Sequence, residues 1–217
     1  YEGDTGPNTG GMGTYSNADH SLPFLTNEDI AEAQAINMAT AKALKNKFGE
    51  GYKGVLYGGF MATADGVKLI EYNARFGDPE AMNVLPLLDA DFIEICNSIA
   101  DGTLNSVDVQ FQNKATVCKY AVPEGYPDKP VKGKPIDVSN VVNTDDLFYA
   151  SVDIQNGQLV EAGSRTVAVV GIANTISEAE KIAENEISAV EGPLFHRTDI
   201  GSMQLVNKRV EHMDSLR

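Results

Sequence analysis

From Thr26 onward apolar side chains return at helical intervals. Ile30, Ala33, Ile36 or Asn37, Ala41, Leu44 and Phe48 recur every three or four positions, the spacing that lines one face of an α-helix. Thr26 with Asp29 three residues on forms a weaker version of the capping box, and Gly49 stops the run. A long amphipathic helix is predicted between them. The period then falls to two. "GVLYGGFMA" (54–62) and "VKLIEYN" (67–73) flank Asp65-Gly66, a strong hairpin turn, so they read as adjacent antiparallel strands. "PEAMNVLPLL" reads as a short helix and "DFIEICNSIADG" as a second one ending at Gly102. A first architectural unit closes near residue 105. After it come "KATVCKYAV", the Pro-rich loop "PEGYPDKPVKGKP", the strand "LFYASVDI", an Asn156-Gly157 turn, "QLVEA" and "RTVAVVGIA". A capped helix follows from Ser177 to about Val190, with Glu178 and Glu180 in its first turn to complement the helix dipole. Several strands and one helix make a second α+β unit. Residues 1 to 25 contain no periodic segment, and the chain has no internal repeat or heptad run.

Composition narrows the class. With 217 residues, 42% of them apolar and 22% charged, the chain is long enough to bury a substantial core. The longest apolar runs, such as Thr166 to Ala173, are strand-sized, so no membrane span or signal peptide is expected and the cytoplasm is the default. A formal charge of −14 argues against general nucleic-acid binding, because a phosphate backbone selects clustered Lys and Arg. A phosphate-bearing small molecule is still admissible in a local pocket of Arg, backbone N–H groups or divalent cations. Cys96 and Cys118 have no second Cys nearby, and His20, His196 and His212 do not fall into ligand spacing, so zinc is not expected. Both cysteines read as reduced, buried small hydrophobes.

The candidate chemistry starts in "IEYNARFGDPE" (70–80). Strand alternation puts Glu71, Asn73 and Arg75 on one face and Ile70 and Tyr72 on the other. Pro79 and Glu80 then suit the first turn of a following helix. Glu71 and Asn73 offer two oxygen ligands to a hard cation such as Mg²⁺. Alternation alone favours the plainer alternative of a solvated face. Arg75, Asp78 and Glu80 form either a surface ion-pair cluster of little energetic weight or a site in which Arg75 grips a phosphate or carboxylate and Asp78 orients an amine. The crowding of charge beside a turn favours the second. "GDTGPNTGGMG" (3–13) can turn successive N–H groups toward an anion. It lacks a Walker lysine and a Rossmann context, so a flexible loop is the alternative. Asp4 is a turn former or a ligand for an amine. His196, Arg197 and Asp199 have no matching nucleophile and read as local hydrogen bonding, with Arg197 lining a pocket. Met12, Met61 and Met82 read as packing residues.

"GDTGPNTGGMGTYS", "GVLYGGFM", "IEYNARFGDPE", "GSRTVAVVGIANT" and "HRTDIG" resemble, in order, the landmarks of the glycinamide ribonucleotide synthetases, the phosphoribosylamine:glycine ligases of purine biosynthesis. The resemblance spans nearly the whole chain. It implies an α+β chain whose residues 1–105 are the C-terminal part of an ATP-grasp core and whose residues 106–217 form a small α+β C-terminal domain. It also implies that the N-terminal domain and the lid with its nucleotide-binding lysines lie outside these residues. The implied substrates are ATP, glycine and phosphoribosylamine, with Mg²⁺ or Mn²⁺, reacting through glycyl phosphate. Glu71 and Asn73 match the family's metal ligands. Arg75 and Asp78 are the expected catalytic residues, and Asp4, Asn8, Thr9, Gly10, Gly11, Pro79 and Glu80 the expected substrate-binding ones. "GVLYGGFM" carries no Glu, where many ATP-grasp relatives place a further metal carboxylate. Another ATP-grasp carboxylate–amine ligase is disfavoured by "GPNTGGMG" together with "RFGDPE". A noncatalytic binding module is the remaining alternative.

Overall fold

The computed structural model of the protein describes all residues, Tyr1–Arg217. In chain order the elements are β1 (Gly13–Ser16), α1 (Asn27–Phe48), β2 (Tyr57–Thr63), β3 (Gly66–Asn73), α2 (Glu80–Val84), α3 (Phe92–Asp101), β4 (Ala115–Pro123), β5 (Leu147–Tyr149), β6 (Val152–Gln155), β7 (Gln158–Glu161), β8 (Val167–Ala173), α4 (Ile176–Ser188), β9 (Leu194–Phe195) and α5 (Met203–Leu216). They pack into two compact units, each discontinuous in sequence. The first comprises Tyr1–His20, Asp78–Pro86 and Asn113–Asn207, and the second Ser21–Gly77, Leu87–Gln112 and Lys208–Arg217.

The first unit is built on an antiparallel sheet of order β1-β4-β8-β5, with β9 on the end of β4. β4 is buried along its whole length, as a central strand covered on both faces must be. Val117 and Ala121 of β4 and Val167 and Val169 of β8 face Ile176, Ala179, Ala183 and Ile187 of α4, positions spaced to form one helical stripe. Cys118, Tyr120 and Val122 face the other way and meet Met12, Met82 and Phe195, so Met12 and Met82 are packing residues, whereas Met61 lies on the open face of β2, 54% exposed, and is not.

In the second unit α1 lies along the β2–β3 hairpin. Its capping box is complete, with Thr26 accepting from the Asp29 N–H and Asp29 accepting from the Thr26 N–H at 2.8 Å. Glu32 accepts the Val67 N–H at 2.9 Å, and the Tyr72 hydroxyl donates to Asn37 at 2.7 Å, which ties helix to hairpin. No helix in the chain is long and apolar enough to cross a membrane.

Several expectations are corrected. Ala41 and Phe48 are exposed, and the half-buried stripe of α1 runs instead through Ile30, Ala33, Ile36, Asn37, Thr40 and Leu44. Ile70 is 63% exposed. A bulge opposite Gly59/Phe60 leaves it without a cross-strand partner, so it does not share the packed face of Tyr72. "LFYASVDI" is two strands, with β5 in the large sheet and β6 paired to β7, because the chain leaves one sheet between Tyr149 and Val152. Cys96 is exposed, since the inward face of α3 is set by Ile95 and Ser98. Thr175 is the cap of α4, its hydroxyl accepting the Glu178 N–H. Glu180 lies beyond the first turn and pairs with Lys119. β1 and α5 are elements that the periodicity reading does not contain.

Candidate functional site

Asp78 lies at the start of the segment that leads into α2, and the first unit gathers donors around it. Arg165, just ahead of β8, donates from Nη2 to Asp78 Oδ2 at 2.9 Å and from Nη1 to Asp78 Oδ1 at 3.2 Å. The same Nη1 reaches the Asp78 carbonyl and the Gly11 carbonyl, each at 3.0 Å. Tyr120 of β4 donates its hydroxyl to Asp78 Oδ1 at 2.9 Å, and the guanidinium lies 4.8 Å from the centre of its ring. Burial, reinforced by the bond to Asp78, pushes the Tyr120 hydroxyl well above the usual tyrosine range, so it stays a donor. Burial likewise raises the Cys118 thiol, with Asp78 and Glu80 adding to the effect. That thiol is inert packing.

The glycine-rich loop meets this node directly. Gly10 packs against the Arg165 guanidinium, and a Cβ at Gly11 would stand 2.6 Å from Pro79 Cδ. Only glycine lets the loop approach the turn so closely. Thr9 is exposed and spends its hydroxyl on the Gly10 carbonyl at 2.7 Å. Asn8 is exposed, and Glu80 opens α2 half-buried.

The start of the loop is held by "HRTDIG". Arg197 forms a fork with Asp199, Nε to Oδ1 at 2.8 Å and Nη2 to Oδ2 at 2.7 Å, and reaches Asp4 Oδ1 from Nη1 at 3.0 Å. Asp199 also accepts the Gly3 N–H at 2.9 Å, and Thr198 donates to Glu2. The Asp199 fork, against the opposing effect of burial, raises Arg197 above its ordinary range. Burial alone would raise Asp199, but Arg197 and the Gly3 N–H outweigh it and hold the carboxyl low. The expected local hydrogen bonding of Arg197 and Asp199 is therefore present and extends to the candidate residue Asp4. His196 instead pairs with Glu184 at 3.0 Å.

Glu71, Asn73 and Arg75 belong to the second unit. Asn73 Nδ2 donates to Glu71 Oε1 at 2.9 Å, so the two side chains share a face at the end of β3. Arg75 follows the strand and donates to the Phe76 carbonyl at 2.7 Å. No three His, Cys, Asp or Glu side chains converge on a metal-binding point. The donor set that remains, one carboxylate and one amide whose oxygen a rotation of the amide brings beside it, fits Mg²⁺, which keeps water and phosphate oxygens in its other positions.

Arg165 and Tyr120, which hydrogen-bond the candidate residue Asp78, are not singled out by the sequence alone. The only signal was that Arg165 lies inside the landmark "GSRTVAVVGIANT".

Residues 1–81 match the family described as Phosphoribosylglycinamide synthetase, ATP-grasp (A) domain, and residues 116–203 the one described as Phosphoribosylglycinamide synthetase, C domain. A curated phosphoribosylamine–glycine ligase of Methanocaldococcus jannaschii is 56% identical over 100% of this chain and 49% of its own length. The crystal structure of a phosphoribosylamine–glycine ligase from Thermotoga maritima superposes with a TM-score of 0.77 at 30% identity, covering 91% of this chain and 48% of that one. The biotin carboxylase domain of Hydrogenobacter thermophilus 2-oxoglutarate carboxylase, solved with MgADP and bicarbonate, shares the fold alone, at 15% identity with a TM-score of 0.55 over 89% of this chain and 41% of that one. The architecture is thus an α+β fold of the ATP-grasp class. Within that class the chain belongs to the phosphoribosylglycinamide synthetase family, whose curated members carry the name phosphoribosylamine–glycine ligase. It spans about half the length of the curated relatives it matches.

Proposed function

We propose that this chain supplies the metal-binding and acceptor-binding part of an ATP-dependent phosphoribosylamine–glycine ligase. The single observation that carries the reading is the 56% identity to such a ligase over the whole of this chain. In the proposed reaction a glycine carboxylate oxygen attacks the γ-phosphorus of ATP and ADP leaves. The amine of phosphoribosylamine then attacks the glycyl carbonyl carbon, phosphate departs, and the amine nitrogen loses a proton to give glycinamide ribonucleotide. Residues 1–105 act as the C-terminal part of the ATP-grasp core and residues 106–217 as the C-terminal domain.

Within this reading Glu71 and Asn73 would hold Mg²⁺ or Mn²⁺, which would supply positive charge to offset the negative charge of the phosphoryl group during transfer. Arg75 directs its charge at the transferring phosphate or acyl phosphate. Asp78 presents a carboxylate to an amine, and its side chain, 51% exposed, is reachable while donors hold it from below. Asp4, Asn8, Thr9, Gly10 and Gly11 line the substrate loop, with Pro79 and Glu80 beside it. No covalent nucleophile is required, and positioning together with exclusion of water carries the catalysis.

The test is ADP release by the full-length gene product with phosphoribosylamine generated in place. Release that requires both glycine and the amine, and that falls away with alanine or serine, is expected. Release indifferent to glycine points to a ligase with another acid substrate. Its absence from a well-folded protein points to a noncatalytic module.

A further inference from the structure

We propose that Arg165 is a positioning residue that latches the glycine-rich loop to the Asp78 turn and fixes which Asp78 oxygen faces the acceptor amine. The inference rests on the ligase reading above for its kinetic consequence, but the latch itself rests on geometry. Two segments distant in sequence, the glycine-rich loop and the Asp78 turn, end on one guanidinium. The Gly11 carbonyl, the Asp78 carbonyl and both Asp78 carboxylate oxygens lie 2.9 to 3.2 Å from its terminal nitrogens. The Arg165 side chain is only 19% exposed, and it rests on the ring of Tyr120 at 4.8 Å, so it has little freedom to swing away. A lysine ammonium on the same stem has neither the planar fork nor the ring stacking that this arrangement uses.

The donors are unequally shared between the two carboxylate oxygens. Oδ1 accepts from both Arg165 Nη1 and the Tyr120 hydroxyl, whereas Oδ2 accepts from Arg165 Nη2. A carboxylate oxygen offers two acceptor directions. Oδ1 is filled by protein donors, and Oδ2 retains one direction for a substrate N–H. The Gly11 contact places the loop against the same turn, so loop position and carboxylate orientation are set by one side chain.

The test compares Arg165→Ala, Arg165→Lys and Tyr120→Phe in the full-length gene product, alone and with Asp78→Asn. Amide hydrogen exchange reads the latch without any substrate. Arg165→Ala is expected to speed exchange in residues 10–12 and 78–82 while the central strands β4 and β8 keep their protection. Turnover at saturating ATP and glycine is expected to fall by roughly ten- to a hundred-fold. Arg165→Lys is expected not to restore it, and the loss is expected to shrink to little in the Asp78→Asn background. Tyr120→Phe keeps the ring beneath the guanidinium and removes one donor to Oδ1. It is expected to raise the KM for phosphoribosylamine while loop exchange stays unchanged, which keeps the test decisive if Arg165→Ala does not fold. Unchanged loop exchange in Arg165→Ala, or full rescue by Arg165→Lys, or equal losses with and without Asp78→Asn overturns the proposal. A wild-type protein without glycine-dependent ADP release defeats the ligase reading instead, and the exchange data still decide the latch.

Discussion

Lys119 has no measurable side-chain exposure, yet it shares the helix-facing side of β4 with Val117 and Ala121. An ammonium in that position is tolerable only if paired. It donates to Glu180 at 2.8 Å, to Glu184 at 2.5 Å and to the Thr198 carbonyl at 2.9 Å. Lys119→Met removes the shared ammonium from two part-buried carboxylates one helical turn apart, leaving Glu184 its bond to His196, and is expected to destabilise the fold by roughly 1–3 kcal/mol. Adding Glu180→Gln and Glu184→Gln should recover much of that loss in urea titrations. A triple variant no better than Lys119→Met would assign the cost to packing rather than to stranded charge. Glu71 is the opposite case, an exposed side chain whose partner is its neighbour Asn73. Glu71→Ala is therefore expected to cost little stability, within about 0.5 kcal/mol, while turnover collapses if it holds the metal. A fallen melting temperature with unchanged activity per folded molecule defeats that role. Glu71, Asn73 and Asp78 were visible as candidates because strand alternation and turn chemistry are local. Tyr120 and Arg165 were not, because they reach Asp78 across 42 and 87 residues, and spacing carries no information at that range.

Among the elements, α4 depends on one backbone approach. A Cβ at Gly171 of β8 would stand 1.9 Å from the Ala179 carbonyl oxygen and 2.8 Å from the Ala183 nitrogen. The atoms met are helix backbone, which has no rotamer to yield. Gly171→Ala is accordingly expected to push α4 off the sheet and destabilise by at least the roughly 1–3 kcal/mol typical of overpacking, read as a shift of the urea midpoint. A midpoint within error of wild type would mean that the helix shifts along the sheet at no cost. The same scale explains which elements the sequence announced. The boundaries of α1 and the β2–β3 hairpin follow from caps and turns that are chemically specific, Thr26 with Asp29, Gly49, and Asp65 with Gly66. β1 has four residues and exists because β4 offers it an edge, Gly13 opposite Lys119 through Ser16 opposite Thr116. No four-residue window reports an edge 100 residues ahead. α5 is different, since Val206, Val210 and Met213 do stand at helical spacing. It was legible and absent from the expectations.

Over the whole molecule, a charge of −14 sets a background repulsion that salt screens. The perturbed groups set the edges of the stable pH range. On the acid side, backbone and side-chain bonds from Thr26 lower Asp29, and Lys119 and His196 hold Glu184 low against burial. Asp137 and Asp199 are lowered as well. A depressed carboxyl contributes stability that is complete above its unfolded value, near pH 4, and is lost as pH falls through the lower folded value. Asp146, raised mainly by burial, has the opposite sign and offsets part of the loss. On the alkaline side, Cys118 and Tyr120 keep their protons in the fold while the unfolded chain releases them. Their contribution is complete below the unfolded values and declines as pH rises past about 8.5 for the thiol and about 10 for the phenol. Urea midpoints measured from pH 3 to 11 should therefore form a plateau with both limbs falling. Background repulsion also grows with pH, but it is screened, whereas the protons of a buried thiol and hydroxyl are held by desolvation. The alkaline limb should thus persist in high salt and flatten in Tyr120→Phe combined with Cys118→Val. A limb abolished by salt and indifferent to those substitutions would place its origin in net charge, and leave the packing around Asp78 without a role in it.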